Sequence, residues 1–292
     1  MEKQYVFSAP GRTEIGGNHT DHQHGCVLAA AVDLETVATV WVDDSTLIQI
    51  DSEGYPVIAV DLNELDVRED EKNTTASLIR GIASAFVQRG AKLSGFRAKV
   101  KSTVLPGSGL SSSAAFEVLI GTILNELFFE KKLSAIEIAQ IGQYAENVYF
   151  GKPCGLMDQM ASSVGGMVYI DFEDPEKPKV QKLEADLETF GYGLCIIDTG
   201  ADHADLTDEY AAIPGELAQL CQFFGKKYLR EIPKAEFVQK IPELRGKVTD
   251  RAILRAFHIY QENDRVRQQV EALRWDDIDA FLDLVKESGR SS

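Results

Sequence analysis

The chain has 292 residues, 44% of them hydrophobic and 26% charged, which suits one or two packed domains with a sizeable core. Its 30 Lys and Arg against 46 Asp and Glu give a formal net charge of -16, so the surface repels phosphate backbones and nucleic acid is excluded as a partner. Four scattered cysteines without a CxxC pair, no apolar signal-peptide stretch at the amino terminus and no run of membrane-spanning length point to a soluble, cytoplasmic protein.

Residues 4–8 and 26–42 are rich in Val, Ala and Thr and predict strands, the second broken near Asp33, Leu34 and Glu35. Residues 46–50 and 57–62 predict a hairpin around the turn signal Ser52-Glu53-Gly54. Helical spacing over 74–88 ends near Gly90, and 96–104 alternates as a strand should. After a glycine-rich loop come helices over about 112–127 and 134–149, then strand-like stretches at 165–172 and 191–200. Beyond Glu209 the pattern turns mainly helical, most clearly at 252–262 and 278–285. This irregular alternation predicts an α+β architecture rather than a repeating βαβ array. Pro175, Pro178 and their charged neighbours mark a boundary, dividing the chain into 1–185 and 186–292.

The string LPGSGLSSSAAFEV, 105–118, lies between a strand and an apolar helix. Gly107 and Gly109 let the backbone come close to a ligand and adopt positive φ at little cost. The first amides of the following helix then face that ligand with the positive end of the helix dipole. Ser111, Ser112 and Ser113 add hydroxyls for phosphate oxygens or a divalent cation. A plain turn with a serine N-cap explains the same string. No Walker A loop and no protein-kinase HRD or DFG motif occurs, so a phosphate site here belongs to another class.

Asp158 and Gln159 sit in the Gly-bounded segment GKPCGLMDQMASSVGG, where an acidic residue also serves as a routine helix cap. Glu146, near the end of the preceding helix, is a carboxylate able to reach magnesium or, equally, a solvated helical Glu. The string APGRTEIGGNHTDHQHG, 9–25, is dense in Gly and polar residues. Its Arg12, Asn18, His19 and Asp21 suit hydrogen bonding to a polyhydroxylated ligand. His19, His22 and His24 admit a zinc reading, but without a fourth ligand at sensible spacing.

Together these strings resemble the galactokinase branch of the GHMP kinases. The family's GRxNxIGEHTDY is similar to GRTEIGGNHTDH here, and PxxxGLSSSA is similar to PGSGLSSSA apart from one residue of spacing. AExxxxGxPCGxMDQ is matched by Ala145, Glu146 and GKPCGLMDQ, and DTGADHADLTDEY resembles a family segment with His203 seven residues before Tyr210. The resemblance implies the GHMP fold of two α+β domains with the active site between them. It implies transfer of the ATP γ-phosphoryl group to the C1 hydroxyl of galactose, with ATP and Mg²⁺. Asp158 becomes the catalytic carboxylate with Arg12 its partner. Asn18, His19, Asp21, Gly155 and Tyr210 line the sugar with them. Gly107, Ser108, Gly109, Leu110, Ser111, Ser112 and Ser113 hold the nucleotide, and Ser113 and Glu146 hold magnesium.

The sequence departs from that pattern in two ways. The family's sugar-binding Glu is Asn18, its Tyr is His22, and its Asn and Ile are Glu14 and Gly16. Galactose is the expected monosaccharide, with N-acetylgalactosamine, arabinose or another hexose as alternatives, and a non-catalytic sugar and ATP sensor on the same fold as a competing reading. The family's carboxyl-terminal GxGxGG motif has no counterpart after Tyr210, so the expectation is a truncated chain whose second domain is incomplete and which is itself unstable or inactive as it stands.

Overall fold

The computed structural model describes residues 3–197 and 207–292, with 207–211 described by their backbone alone. It divides into two compact units, one running to Thr13 and resuming over Ala30–Gly166, the other comprising Glu14–Ala29 and Met167–Ser292. The units are discontinuous in sequence, whereas composition suggested a single boundary near 185. His203 lies outside the described residues, as does the side chain of Tyr210.

Strands β1 (Gln4–Gly16, in the first unit to Thr13), β2 (Cys26–Val42, in the first unit from Ala30), β3 (Leu47–Ser52), β4 (Ile58–Asp61) and β5 (Phe96–Ser102) lie in the order β4-β3-β5-β2, with β1 also paired to β2. β3 and β5 run parallel, while β2–β5 and β3–β4 are antiparallel, the latter being the expected hairpin. Because side chains alternate across a strand, register brings Ala38, Val40, Ile48, Ile50, Val60, Phe96, Ala98 and Val100 onto one buried face. Helices α1 (Thr75–Gln88) and α2 (Ser112–Phe128) cover that face with Ile79, Ile82, Phe86, Leu119, Ile120 and Ile123. Burying each such side chain favours folding by about 1.5–3 kcal/mol. Thr74 caps α1, and Ser134 with Glu137 forms a capping box at α3 (Ala135–Tyr144). α4 (Met157–Val164) packs against α2 and α3.

The second unit holds the antiparallel hairpin of β6 (Met167–Asp171) and β7 (Lys179–Leu183), with residues 26–29, the start of β2. Four helices follow: α5 (Thr207–Phe223), α6 (Lys234–Leu244), α7 (Asp250–Arg274) and α8 (Ile278–Ser291). α7 serves two cores. Its Ile253, Ala256 and Ile259 pack with Leu217, Leu229 and Phe237, whereas Val266, Val270 and Leu273 pack with Leu28, Met167 and Phe281.

Three expectations are corrected. β2 runs unbroken through Asp33, Leu34 and Glu35, because the charged residues continue the alternation on the outer face. The helix expected over 134–149 gives way at Ala145–Phe150 to a π turn closed by Gly151 N–H to the Glu146 carbonyl. Residues 192–197, expected as a strand, have no regular structure, and Ile197 is 82% exposed. Apolar alternation does not make a strand without a ladder partner for the backbone.

Candidate active site

The glycine-rich loop precedes α2 as expected. Gly107 and Gly109 both take φ of +76°, with nothing within 4 Å of a Cβ built at either, so the need for glycine there is conformational. Ser111, at the N-cap of α2, has φ of +56° and its side chain makes no capping bond. The hydroxyl donates instead to Asp158 Oδ2. The first turn of α2 therefore keeps its dipole end without a side-chain cap, which suits an anion. The backbone around it is open to solvent at Pro106, Gly107 and Gly109, while Leu110 is buried and Ser108, Ser112 and Ser113 are half-buried.

Arg12, on β1, reaches the same place. Its Nε and Nη2 donate to Asp158 Oδ1 and Oδ2 at 2.8 and 2.7 Å, a two-point fork. Its Nη1 donates to the Gly109 carbonyl at 2.7 Å, and its backbone N–H donates to the Leu110 carbonyl at 3.0 Å. One guanidinium thus ties the carboxylate of residue 158 to the mouth of the loop. Asp158 lies in the first turn of α4 rather than at its cap, which is Leu156, with Gly155 half-buried just before.

Glu146 sits on the π turn and is 4% exposed. The Gln159 side-chain amide donates at 2.9 Å both to Glu146 Oε2 and to Glu117 Oε2, the latter from α2. Glu117 Oε1 and Gln159 Oε1 are buried without a hydrogen-bond partner. Burial, then the neighbouring Glu146 charge, pushes the Glu117 carboxyl well above its ordinary value. Lys152 Nζ, on a mostly exposed side chain, stands 3.6 Å from Glu146 Oε1. Two buried carboxylates and a spare carboxylate oxygen leave this corner short of positive charge. Its carboxyl oxygens suit a hard divalent cation, and the Cys154 thiol stands beside them, 3.8 Å from Gln159 Nε2. Among the described residues no cluster of three or more His, Cys, Asp or Glu could hold a metal ion.

The second unit holds Asn18, His19 and Asp21 on a loop that turns through a 3-10 segment at Asp21–Gln23. Thr20 closes that loop, its hydroxyl lying 2.8 Å from the Gly17 carbonyl and 2.6 Å from the Cys26 carbonyl. His19 adopts a left-handed φ of +61°, uncommon for a non-glycine residue. Burial lowers its pKa to about 4, helped by the charges of His22, His258 and Arg255, so its imidazole is neutral at pH 7. His22 stacks on His19, and His24 stacks on Tyr228. Sequence reasoning missed Glu117 and the α7 residues beneath this loop: each sits mid-helix, and nothing local marks such a residue as buried.

Residues 77–166 match the GHMP kinases N terminal domain, and residues 1–41 match the galactokinase galactose-binding signature. The chain is 33% identical over 294 residues to a galactokinase of Glaesserella parasuis, covering 98% of this chain and 73% of that protein. It is 30% identical over 283 residues to one of Streptomyces coelicolor, covering 96% and 72%. Lactococcus lactis galactokinase, solved with galactose, superposes with a TM-score of 0.80 at 24% identity over 99% of this chain and 74% of that one. A mevalonate kinase of Methanococcus jannaschii shares the fold at a TM-score of 0.55 and 15% identity, covering 90% and 80%. With 33% identity across nearly its whole length, the chain belongs to the galactokinase family of the GHMP kinases.

Proposed function

We propose that this protein transfers the γ-phosphoryl group of ATP to the C1 hydroxyl of galactose, giving galactose 1-phosphate. The observation that carries the reading is the Arg12–Asp158–Ser111 knot at the glycine-rich loop, which sets a carboxylate beside a phosphate-binding helix end. Phosphoryl transfer asks a protein mainly for positioning and charge neutralisation. In this reading the loop amides and the hydroxyls of Ser111, Ser112 and Ser113 hold the phosphates. Asp158, fixed at both oxygens, orients the C1 hydroxyl and accepts its proton late in a loose transition state. Arg12 holds Asp158 in place and offsets charge on the transferred group. Ser113 and Glu146 would hold Mg²⁺, which neutralises phosphate oxygens when bound. Asn18, His19 and Asp21 bind sugar hydroxyls, with Gly155 and Tyr210 assigned alongside them.

Asn18 in the place of a family carboxylate bears on which sugar is taken, since it exchanges a charge-assisted bond for a neutral one, a difference of about 1 kcal/mol or more. The neutral His19 ring keeps one donor and one acceptor for hydroxyls. Free thiols at all four cysteines support a reducing, cytosolic setting, and no helix among the described residues is long and apolar enough to cross a membrane. The test is ADP release from Mg-ATP with galactose, N-acetylgalactosamine and arabinose, and ³¹P NMR of the product. Turnover with galactose giving a 1-phosphate supports the reading. ATP binding without turnover on any sugar replaces it with the sensor.

A further inference from the structure

α7 presents three side chains from two consecutive turns to the backbone of the 17–26 loop, and none of them belongs to a motif that the proposed reaction uses. Glu262, fully buried, accepts the Gly17 N–H at 3.0 Å on Oε1, which also takes the Ser288 hydroxyl, while Oε2 pairs with Arg265. Asn263 Oδ1 accepts the Cys26 N–H at 2.7 Å. His258 Nε2 lies 3.0 Å from the Asn18 carbonyl. A carbonyl only accepts, so Nε2 carries a proton, and Nδ1 lies 2.8 Å from Ser291 Oγ. The loop is thus held at both ends and at Asn18 itself. At Gly17 the hold is demanding: φ is +102°, and an added Cβ would fall 2.5 Å from the Cys26 carbonyl.

We infer that His258, Glu262 and Asn263 are positioning residues that fix the Asn18–His19–Asp21 loop in its sugar-binding shape. This inference rests on the sugar-binding role proposed above. The loop's own bonds, between backbone groups and through the Thr20 hydroxyl, fold it on itself, but His19 is held at a left-handed φ that is uncommon outside glycine. Side chains from a helix anchored in two cores supply the external restraint. A loop held this way meets sugar without an ordering cost, which is how preorganisation raises affinity.

The test uses Asn263→Leu, which removes the acceptor, and Asn263→Asp, which restores it. Galactose affinity is read by calorimetry, and amide exchange of the 14–27 segment by mass spectrometry. Loss of one buried hydrogen bond to the loop backbone is expected to weaken galactose by about 5- to 100-fold. Exchange of the segment should speed up, ATP affinity should stay within about twofold, and Asn263→Asp should restore galactose binding and slow exchange. A merely structural Asn263 would lower the melting temperature and the active fraction but leave the dissociation constant of the folded fraction alone. Unchanged galactose affinity in Asn263→Leu, with or without faster exchange, overturns the inference. A parent chain that does not bind galactose overturns the proposed function, and this inference with it.

Discussion

Replacing Arg12 by Lys tests the knot at the centre of the candidate site. Arg12 donates twice to Asp158, at 2.8 and 2.7 Å, and once to the Gly109 carbonyl at 2.7 Å. A lysine keeps the charge but has no planar fork, so it retains one of these contacts. A charge-assisted hydrogen bond contributes about 1.5–3 kcal/mol. With the Asp158 side chain 35% exposed, the low end applies. Losing two such bonds costs about 3 kcal/mol, roughly 100- to 200-fold in kcat/KM. The assay is coupled ADP release over a matrix of ATP and galactose concentrations, with a thermal melt beside it to show that the variant folds. The loss should fall mainly on kcat, because Asp158 is misaimed while the loop still binds nucleotide. A folded Arg12→Lys enzyme within tenfold of the parent would refute the reasoning.

Three further outcomes follow from the geometry. Gly109→Ala puts a methyl group on a residue at φ +76°, a left-handed strain of about 1–2 kcal/mol, and should weaken ATP binding roughly 5- to 30-fold; an unchanged ATP dissociation constant would count against the loop as the phosphate site. Glu117 ionises near its ordinary 4.5 when unfolded and well above that when folded, so stability falls as pH rises through that window. Glu117→Gln has no proton to keep and should resist urea better than the parent at pH 8, with the gap closing toward pH 4; equal midpoints at pH 8 would contradict the burial argument. His19 behaves oppositely: unfolded it binds a proton near 6.5 and folded only near 4, so its share of stability is present above pH 6.5 and is lost as pH falls toward 4. Proton NMR of the ring should show no titration between pH 5 and 8, and a midpoint near 6.5 would refute its burial.

Much of this site was legible in the sequence because its chemistry sits in short strings. The 105–113 loop, Arg12 and Asp158 lie 47 to 146 residues apart in their contacts, yet each is embedded in a glycine- or serine-rich segment that a packed core does not need. What joins them was not legible. Ser111 read equally well as a cap, and only its left-handed backbone turns the hydroxyl toward Asp158 rather than toward its own helix. The α7 residues were hidden for a different reason. Glu262 and Asn263 look like solvent-facing helix residues, and their burial is decided by a loop more than 230 residues earlier in the chain. The fold shows the same division. The capped helix α1 and the capped start of α3 fell where expected, whereas β7, written KVQKL with three exposed residues, carried too little apolar pattern to read as a strand. The 192–197 stretch had the pattern and no ladder.

The most direct measurement is steady-state turnover of Asp158→Asn with Mg-ATP and galactose, beside ATP binding by the same protein. Asparagine keeps the shape but leaves neither a carboxylate for the C1 hydroxyl nor a charged partner for Arg12. Turnover should fall at least about 100-fold while ATP still binds. Turnover close to the parent's would remove residue 158 from the chemistry and with it the role assigned to the knot.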